Sequence, residues 1–171
     1  PDGTRPILIA VTQLTSTDEE TMKRDLLIDA PIADVVMHYA KNAKAAGLHV
    51  GAYHYMYATT VEGARREAQG FLKNLSGKSF DMPVALDIEE RSQYNLSNGT
   101  VEAITKAFLD VCEAAGYYCL LYSYESFLTA KFSAAFRSRY DIWCANVSRT
   151  PAITYGIHQV SFTGRVDGIS G

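Results

Sequence analysis

At 171 residues, 47% of them hydrophobic, the chain is long enough to bury one sizeable core and short for two, so a single domain over 1–171 is expected. A formal net charge of -3 from 16 Lys+Arg and 19 Asp+Glu leaves no basic footprint and argues against a nucleic-acid partner. The apolar runs fall far short of the ~20 residues that span a bilayer, which argues against a membrane segment.

In chain order, ILIAVTQ at 7–13 reads as a buried strand followed by the polar stretch TSTDEE. From Ile32 the residues Val35, Val36, Tyr39, Ala43 and Ala46 continue a helical spacing that Gly47 closes, and LHVGAYHY at 48–55 reads as the next strand. Thr59 with Glu62 three residues on has capping-box spacing and announces a helix with Val61, Ala64, Ala68, Phe71, Leu72 and Leu75 inward. PVALDIEE at 83–90 is a strand that runs into three carboxylates. After the polar loop RSQYNLSNG, Ser97 or Asn98 caps a helix built on Val101, Ile104, Phe108, Val111 and Ala115, and Gly116 stops it. YYCLLYSY at 117–124 is the following strand, and DIWCAN and ITYGIHQV are expected to be strands joined by short, irregular connections.

Strand and helix alternating at this rhythm predict an α/β protein with a parallel sheet, regular early and mostly β late. An internal echo supports repeated βα units: KAAGLHVGAYHY at 44–55 and EAAGYYCLLYSY at 113–124 share Ala-Ala-Gly and Tyr-x-Tyr at the same offsets. Cys112, Cys119 and Cys144 are odd in number and lack CxxC spacing, so they read as buried thiols rather than as a disulfide framework or zinc site. His38, His49, His54 and His158 are scattered without metal-ligand spacing, and His54 is expected to be a strand residue that meets a backbone or carboxylate partner.

The chemistry is expected at PVALDIEE. Residues two apart in a strand face the same way, so Asp87 and Glu89 project together, at the carboxyl end of their strand, where barrel enzymes keep their active sites. Two carboxyls that close at the edge of an apolar interior favour protonation of one, and a carboxyl held neutral near pH 7 is a general acid. The same residues also suit a solvated strand end. Tyr53, Tyr55, Tyr122, Tyr124 and Trp143, at or near strand ends, add flat apolar faces with polar tips, which suit sugar rings.

KNAKAAGLHVGAYHY, then PVALDIEE, LLYSYESF, DIWCAN and HQVSFTGRVDGISG, in that order, resemble the family 25 glycoside hydrolases, the N-acetylmuramidases often called Chalaropsis-type lysozymes. The similarity runs from about Ile7 to Gly171. It implies an irregular TIM-like (β/α) barrel that cleaves the β-1,4 bond between N-acetylmuramic acid and N-acetylglucosamine in peptidoglycan, extracellularly or in the cell wall, without cofactor or metal. By motif, Glu89 matches the general acid and Asp87 its partner carboxylate. Tyr53, Tyr122 and Trp143 match residues lining the sugar site. Gln159 falls where the family commonly reads Trp-Gln-Tyr, although this chain has His158-Gln159-Val160. The family's first strand, which carries an aspartate, and an aspartate-bearing last strand are not found, so a truncated member is expected; Asp2, Asp29 and Asp167 lie in no strand register that would replace them. Because Asp87 and Glu89 approach from one side, the expected nucleophile is the substrate's own 2-acetamido group, with retention. Two alternatives stand beside this: a non-catalytic glycan-binding module or inactive remnant, and a barrel hydrolase acting on another acetamido sugar such as chitin.

Overall fold

Strands that are each followed by a covering segment can return to a sheet only in parallel. In the computed structural model, which describes residues 9–10, 41–42, 44–45, 47 and 49–163, the strands are β1 (Ile9–Ala10), β2 (Val50–Tyr55), β3 (Val84–Asp87), β4 (Cys119–Tyr124), β5 (Asp141–Ala145) and β6 (Ile157–Gln159). All neighbours pair in parallel and the sheet order equals the chain order. Sequential order without a reversal is that of a barrel wall, not of a doubly wound sheet. The architecture is thus α/β, part of an irregular TIM-like barrel. Residues 41–42 and 44–45 are helical; the remainder of the helix expected from Ile32, and of the strand expected at 7–13 beyond β1, lies outside the described residues.

Helix α1 (Val61–Leu75) links β2 to β3, and α2 (Asn98–Ala114) links β3 to β4. The N-cap of α1 is Thr60, one residue later than the capping-box spacing predicts: its Oγ1 accepts from Gly63 N at 3.1 Å, and with the helix starting at Val61, Glu62 lies too early to reach back to the cap. Ser97 caps α2, accepting from Thr100 N at 3.2 Å. Ala64, Ala68, Phe71 and Leu75 face Val101, Ile104, Phe108 and Cys112, and both rows pack on the outer sheet residues Ala52, Val84, Leu86, Ile88 and Leu121. Fully burying one such large side chain contributes roughly 1.5–3 kcal/mol, so this layer holds the helices to the sheet. Cys112, Cys119 and Cys144 are all buried and free.

The late segment is less β-rich than its sequence suggests. Two short helices, α3 (Glu125–Lys131) and α4 (Ala134–Arg137), fill the space between β4 and β5. At 7 and 4 residues they are too short to show a helical period in the sequence. Of the strand expected in ITYGIHQV only β6 forms, while Ile153 and Tyr155 pack against the core.

The echo has a structural counterpart. Gly47 and Gly116 hold φ of 77° and 88°, and each donates its N–H to the carbonyl three residues back, Lys44 and Glu113, both at 2.9 Å. Each left-handed glycine turns the chain from a helix end toward a strand, β2 or β4, that begins three residues later. A Cβ at position 116 meets nothing within 4 Å, so Gly116→Ala carries only the backbone strain. We expect it to lower unfolding free energy by about 1–2 kcal/mol in chemical denaturation, with Gly116→Asn costing less.

Candidate active site

The site is built by strand register. Asp87, the last residue of β3, lies beside Tyr55 of β2 and Tyr122 of β4, and Tyr122 beside Trp143 of β5. The Tyr122 and Trp143 rings meet edge to face with centroids 4.8 Å apart. Tyr53, Asp87, Tyr122, Trp143 and Gln159 together line one cavity of about 220 Å³. Five of the six site residues implied by the resemblance therefore share a single wall. Glu89 is not part of that lining; it stands two residues beyond the strand and is half-buried.

Backbone bonds fix this strand end. Met56 N donates to Asp87 O at 2.9 Å, Ile88 N to Tyr122 O at 3.1 Å, and Ser123 Oγ to Ile88 O at 2.6 Å. The extended run so continues one residue past β3, and Ile88, fully buried, points into the helix-side core. Asp87 and Glu89 are left facing the opposite way, as alternation requires. Glu90, the third carboxylate, is structural: it accepts from the Tyr55 hydroxyl at 3.1 Å and caps the 3-10 helix Arg91–Asn95 through a reciprocal bond with Gln93.

Asp87 Oδ1 and Glu89 Oε2 are both buried with no hydrogen-bond partner. Unsatisfied buried oxygens of this kind are costly, and their protonation is the cheapest relief. Burial first, then the charge of Glu89, pushes the Asp87 carboxyl up from 3.8 to about 8, and burial also raises Glu89. The sequence pattern makes Glu89 the carboxyl held neutral. In the structure both are raised and the deeper one, Asp87, 7% exposed, is the stronger resting place for the proton. The charge of Glu89 acts on Asp87, so the two titrate as a coupled pair. Burial, followed by the two carboxylates, also raises the phenols of Tyr53 and Tyr122.

Further residues belong to the neighbourhood that the sequence pattern leaves in a loop or among core residues. The phenol of Tyr94, on the 3-10 helix, is raised by burial and then by Glu89, and that of Tyr124 by burial, then Glu89. Ser123 and Gln93, both fully buried, hold the carboxylate-bearing backbone. A 3-10 turn has no hydrophobic period to reveal it; the only sequence signal was an aromatic close after the carboxylates. His54 points the other way, its Nε2 2.7 Å from Glu67 Oε2 under the rings of Phe71 and Phe108, so it meets the carboxylate partner expected for it. Among the described residues no group of three or more His, Cys, Asp or Glu could hold a metal ion, and no helix is long and apolar enough to cross a membrane.

The model of the glycosyl hydrolases family 25 matches residues 32–169, so the part of the resemblance read from Ile7 to Pro31 lies outside it. Among solved structures, the CTP1L endolysin is 31% identical with a TM-score of 0.65, over 77% of this chain and 47% of that one. The modular autolysin LytC from Streptococcus pneumoniae, solved in complex with a synthetic peptidoglycan ligand, shares the fold with a TM-score of 0.68 and 19% identity, over 78% of this chain and 35% of that one. A short stretch is similar to a different enzyme: orotidine 5'-phosphate decarboxylase of Bacillus licheniformis is 57% identical over 44 residues, 26% of this chain and 18% of that protein. The chain thus spans about half of the endolysin's length and less than a fifth of the decarboxylase's.

The raised Asp87 carboxyl has a consequence for stability. The folded protein keeps a proton on Asp87 up to about pH 8, whereas the unfolded chain releases it near 3.8. The contribution is present below the unfolded value and lost as pH rises toward 8. Asp87→Asn removes this titration, so its thermal midpoint relative to the native protein should rise between pH 4 and pH 8; an unchanged difference across that range would show that Asp87 is not raised.

Proposed function

Since this chain belongs to the glycosyl hydrolases family 25, we propose that it hydrolyses the β-1,4 bond between N-acetylmuramic acid and N-acetylglucosamine in bacterial peptidoglycan, acting outside the cell or in the wall. Glu89 is the general acid and Asp87 its partner, while Tyr53, Tyr122, Trp143 and Gln159 hold the sugar. The observation that carries this reading is the pair of buried, unpartnered carboxyl oxygens of Asp87 and Glu89, the first of them in the wall of an aromatic-lined cavity. The reading calls for no cofactor or metal.

A muramic ring seated against Tyr122 and Trp143 brings its 2-acetamido N–H to Asp87. A donor at that oxygen favours the ionised form of Asp87, which leaves the pair's proton to Glu89. Glu89 then protonates the glycosidic oxygen as the bond to C1 breaks. The acetamido carbonyl oxygen closes on C1 to give a bicyclic oxazolinium, and ionised Asp87 steadies the charge through the N–H. Water, deprotonated by Glu89, opens that ring from the face the leaving sugar vacated, so configuration is retained. A second reading, a glycan-binding module without turnover, is favoured by the cavity lining, where Asp87 is the one carboxylate among the described residues.

Reducing-end analysis of purified peptidoglycan separates the two. The chain should release new muramic-acid ends, Glu89→Gln should lower the rate by about 10²–10⁴, and the rate should fall as pH passes about 8, where the pair loses its proton. Binding without new ends supports the module. A covalent sugar adduct mapped to Asp87 would overturn the role given to the acetamido group.

A further inference from the structure

The carboxyl-end rim of the sheet carries a second cavity that the proposed chemistry does not use. It is a groove of about 470 Å³ between the start of α3 and the segment after β5, with Tyr124, Ala145, Val147, Arg149, Ile153 and Phe162 among its walls. Strand register joins it to the sugar cavity. Tyr124 stands two residues beyond Tyr122 on β4 and so on the same face of the sheet. Ala145, beside Tyr124, pairs on its other side with Gln159, which lines the sugar cavity. Asn146 N donates to Gln159 O at 3.3 Å. Phe162 follows β6, yet its ring meets that of Tyr124 with centroids 5.9 Å apart although β5 lies between their strands.

The groove is held in shape around a charge. Glu125, only 6% exposed, accepts from Ala152 N at 2.7 Å, from the Asn146 side-chain amide, and from Arg149 Nη2 at 3.0 Å. Asn146 Oδ1 in turn accepts from Ser148 N and Arg149 N at 3.0 and 3.2 Å, and Arg149 Nη1 donates to the Thr150 carbonyl at 3.0 Å. A buried carboxylate with three donors stays ionised, and here it fixes a guanidinium whose side chain is 59% exposed. The bonds to Glu125 and Thr150 use two of the five N–H donors of the guanidinium, so a positioned cation lines the groove with donors left for a ligand. Exposed Val147 and Phe162 place apolar surface in the same walls. A sugar ring is neutral and calls for no cation. A fixed guanidinium amid apolar walls matches a carboxylate on a chain of small apolar side chains.

We propose that this groove binds the acidic peptide that muramic acid carries on its lactyl group, with Arg149 pairing a peptide carboxylate. The inference rests on the peptidoglycan reading above, and the test separates the two. A muramic ring against Tyr122 and Trp143 stands one strand step from the groove, roughly 6.5 Å, a gap that the lactyl link covers. Two ligands are titrated into the native chain by calorimetry. Both are the disaccharide N-acetylglucosaminyl-β-1,4-N-acetylmuramic acid, which ends at the muramic ring and holds no bond of the kind cleaved. In one the lactyl carboxyl carries L-alanyl-D-isoglutamine, and in the other it is capped as the neutral methylamide. Arg149→Gln keeps a donor for Glu125 and removes the charge. It should weaken the peptide ligand about tenfold and leave the capped one within about twofold. Amidating the free carboxylate of the peptide should cost the native chain the same factor of about ten, a measurement that needs no substitution. Equal binding of the peptide and its amide to the native chain, an unchanged peptide affinity in Arg149→Gln, or an equal loss of both ligands in that variant would overturn the peptide site while leaving the peptidoglycan reading intact. Binding of neither ligand to the native chain would overturn that reading and the peptide site with it.

Discussion

The burial of Ile88 is the constraint on which the rest of the site depends. One isoleucine driven into the core between sheet and helices determines which way its neighbours face. Asp87 and Glu89 must then turn toward the barrel interior although each has a strong preference for water. The hydrophobic gain on one side of the strand meets the desolvation cost on the other, and protonation limits that cost. A carboxyl with a raised pKa here is the direct result of a backbone that cannot rotate.

The backbone is kept from rotating by hydrogen bonds contributed from three directions. β2 supplies Met56 N, β4 supplies the Tyr122 carbonyl and the Ser123 hydroxyl, and the turn after β3 supplies Gln93. Helix α1 adds a fourth anchor, because Glu67 accepts from both His54 and the Tyr57 N–H and so binds the loop after β2 to the helix beneath it. Each is a buried polar group with its partner satisfied, which favours a single geometry. Among the described residues four buried side-chain atoms lack a partner, His54 Nδ1, Thr105 Oγ1, Asp87 Oδ1 and Glu89 Oε2, and the last two belong to one motif at the end of β3.

Two carboxylates of one short motif have come to different ends from the third. Asp87 and Glu89 stay unpaired in a closed setting, while Glu90 is engaged by the Tyr55 hydroxyl and the Gln93 backbone. The difference lies in the alternation of the chain and in the tyrosine that happens to stand across the register. A motif dense in acid therefore divides into unpaired and hydrogen-bonded members by geometry alone.

What the sequence by itself determined is local and periodic. The i, i+4, i+7 spacing of Ala64, Ala68 and Phe71, the glycine stops at 47 and 116, and the inward pairing of Asp87 with Glu89 are short-range consequences of helix and strand geometry, and they are legible in a few residues. Tyr53, Tyr122 and Trp143 could be named because each sits in or at the end of a periodic element, whereas Gln159 could be named only through the family resemblance. Only the tertiary structure decided that these come from four strands to one cavity, that Asp87 is the deeper carboxyl, and that the turn carrying Tyr94 is tied down by Gln93. Such facts depend on register between strands far apart in the chain and on a 3-10 turn locked by a glutamine, neither of which leaves a period in the sequence. The helices α3 and α4 escaped for a related reason, because one or two turns held by tertiary contacts need no amphipathic pattern of their own.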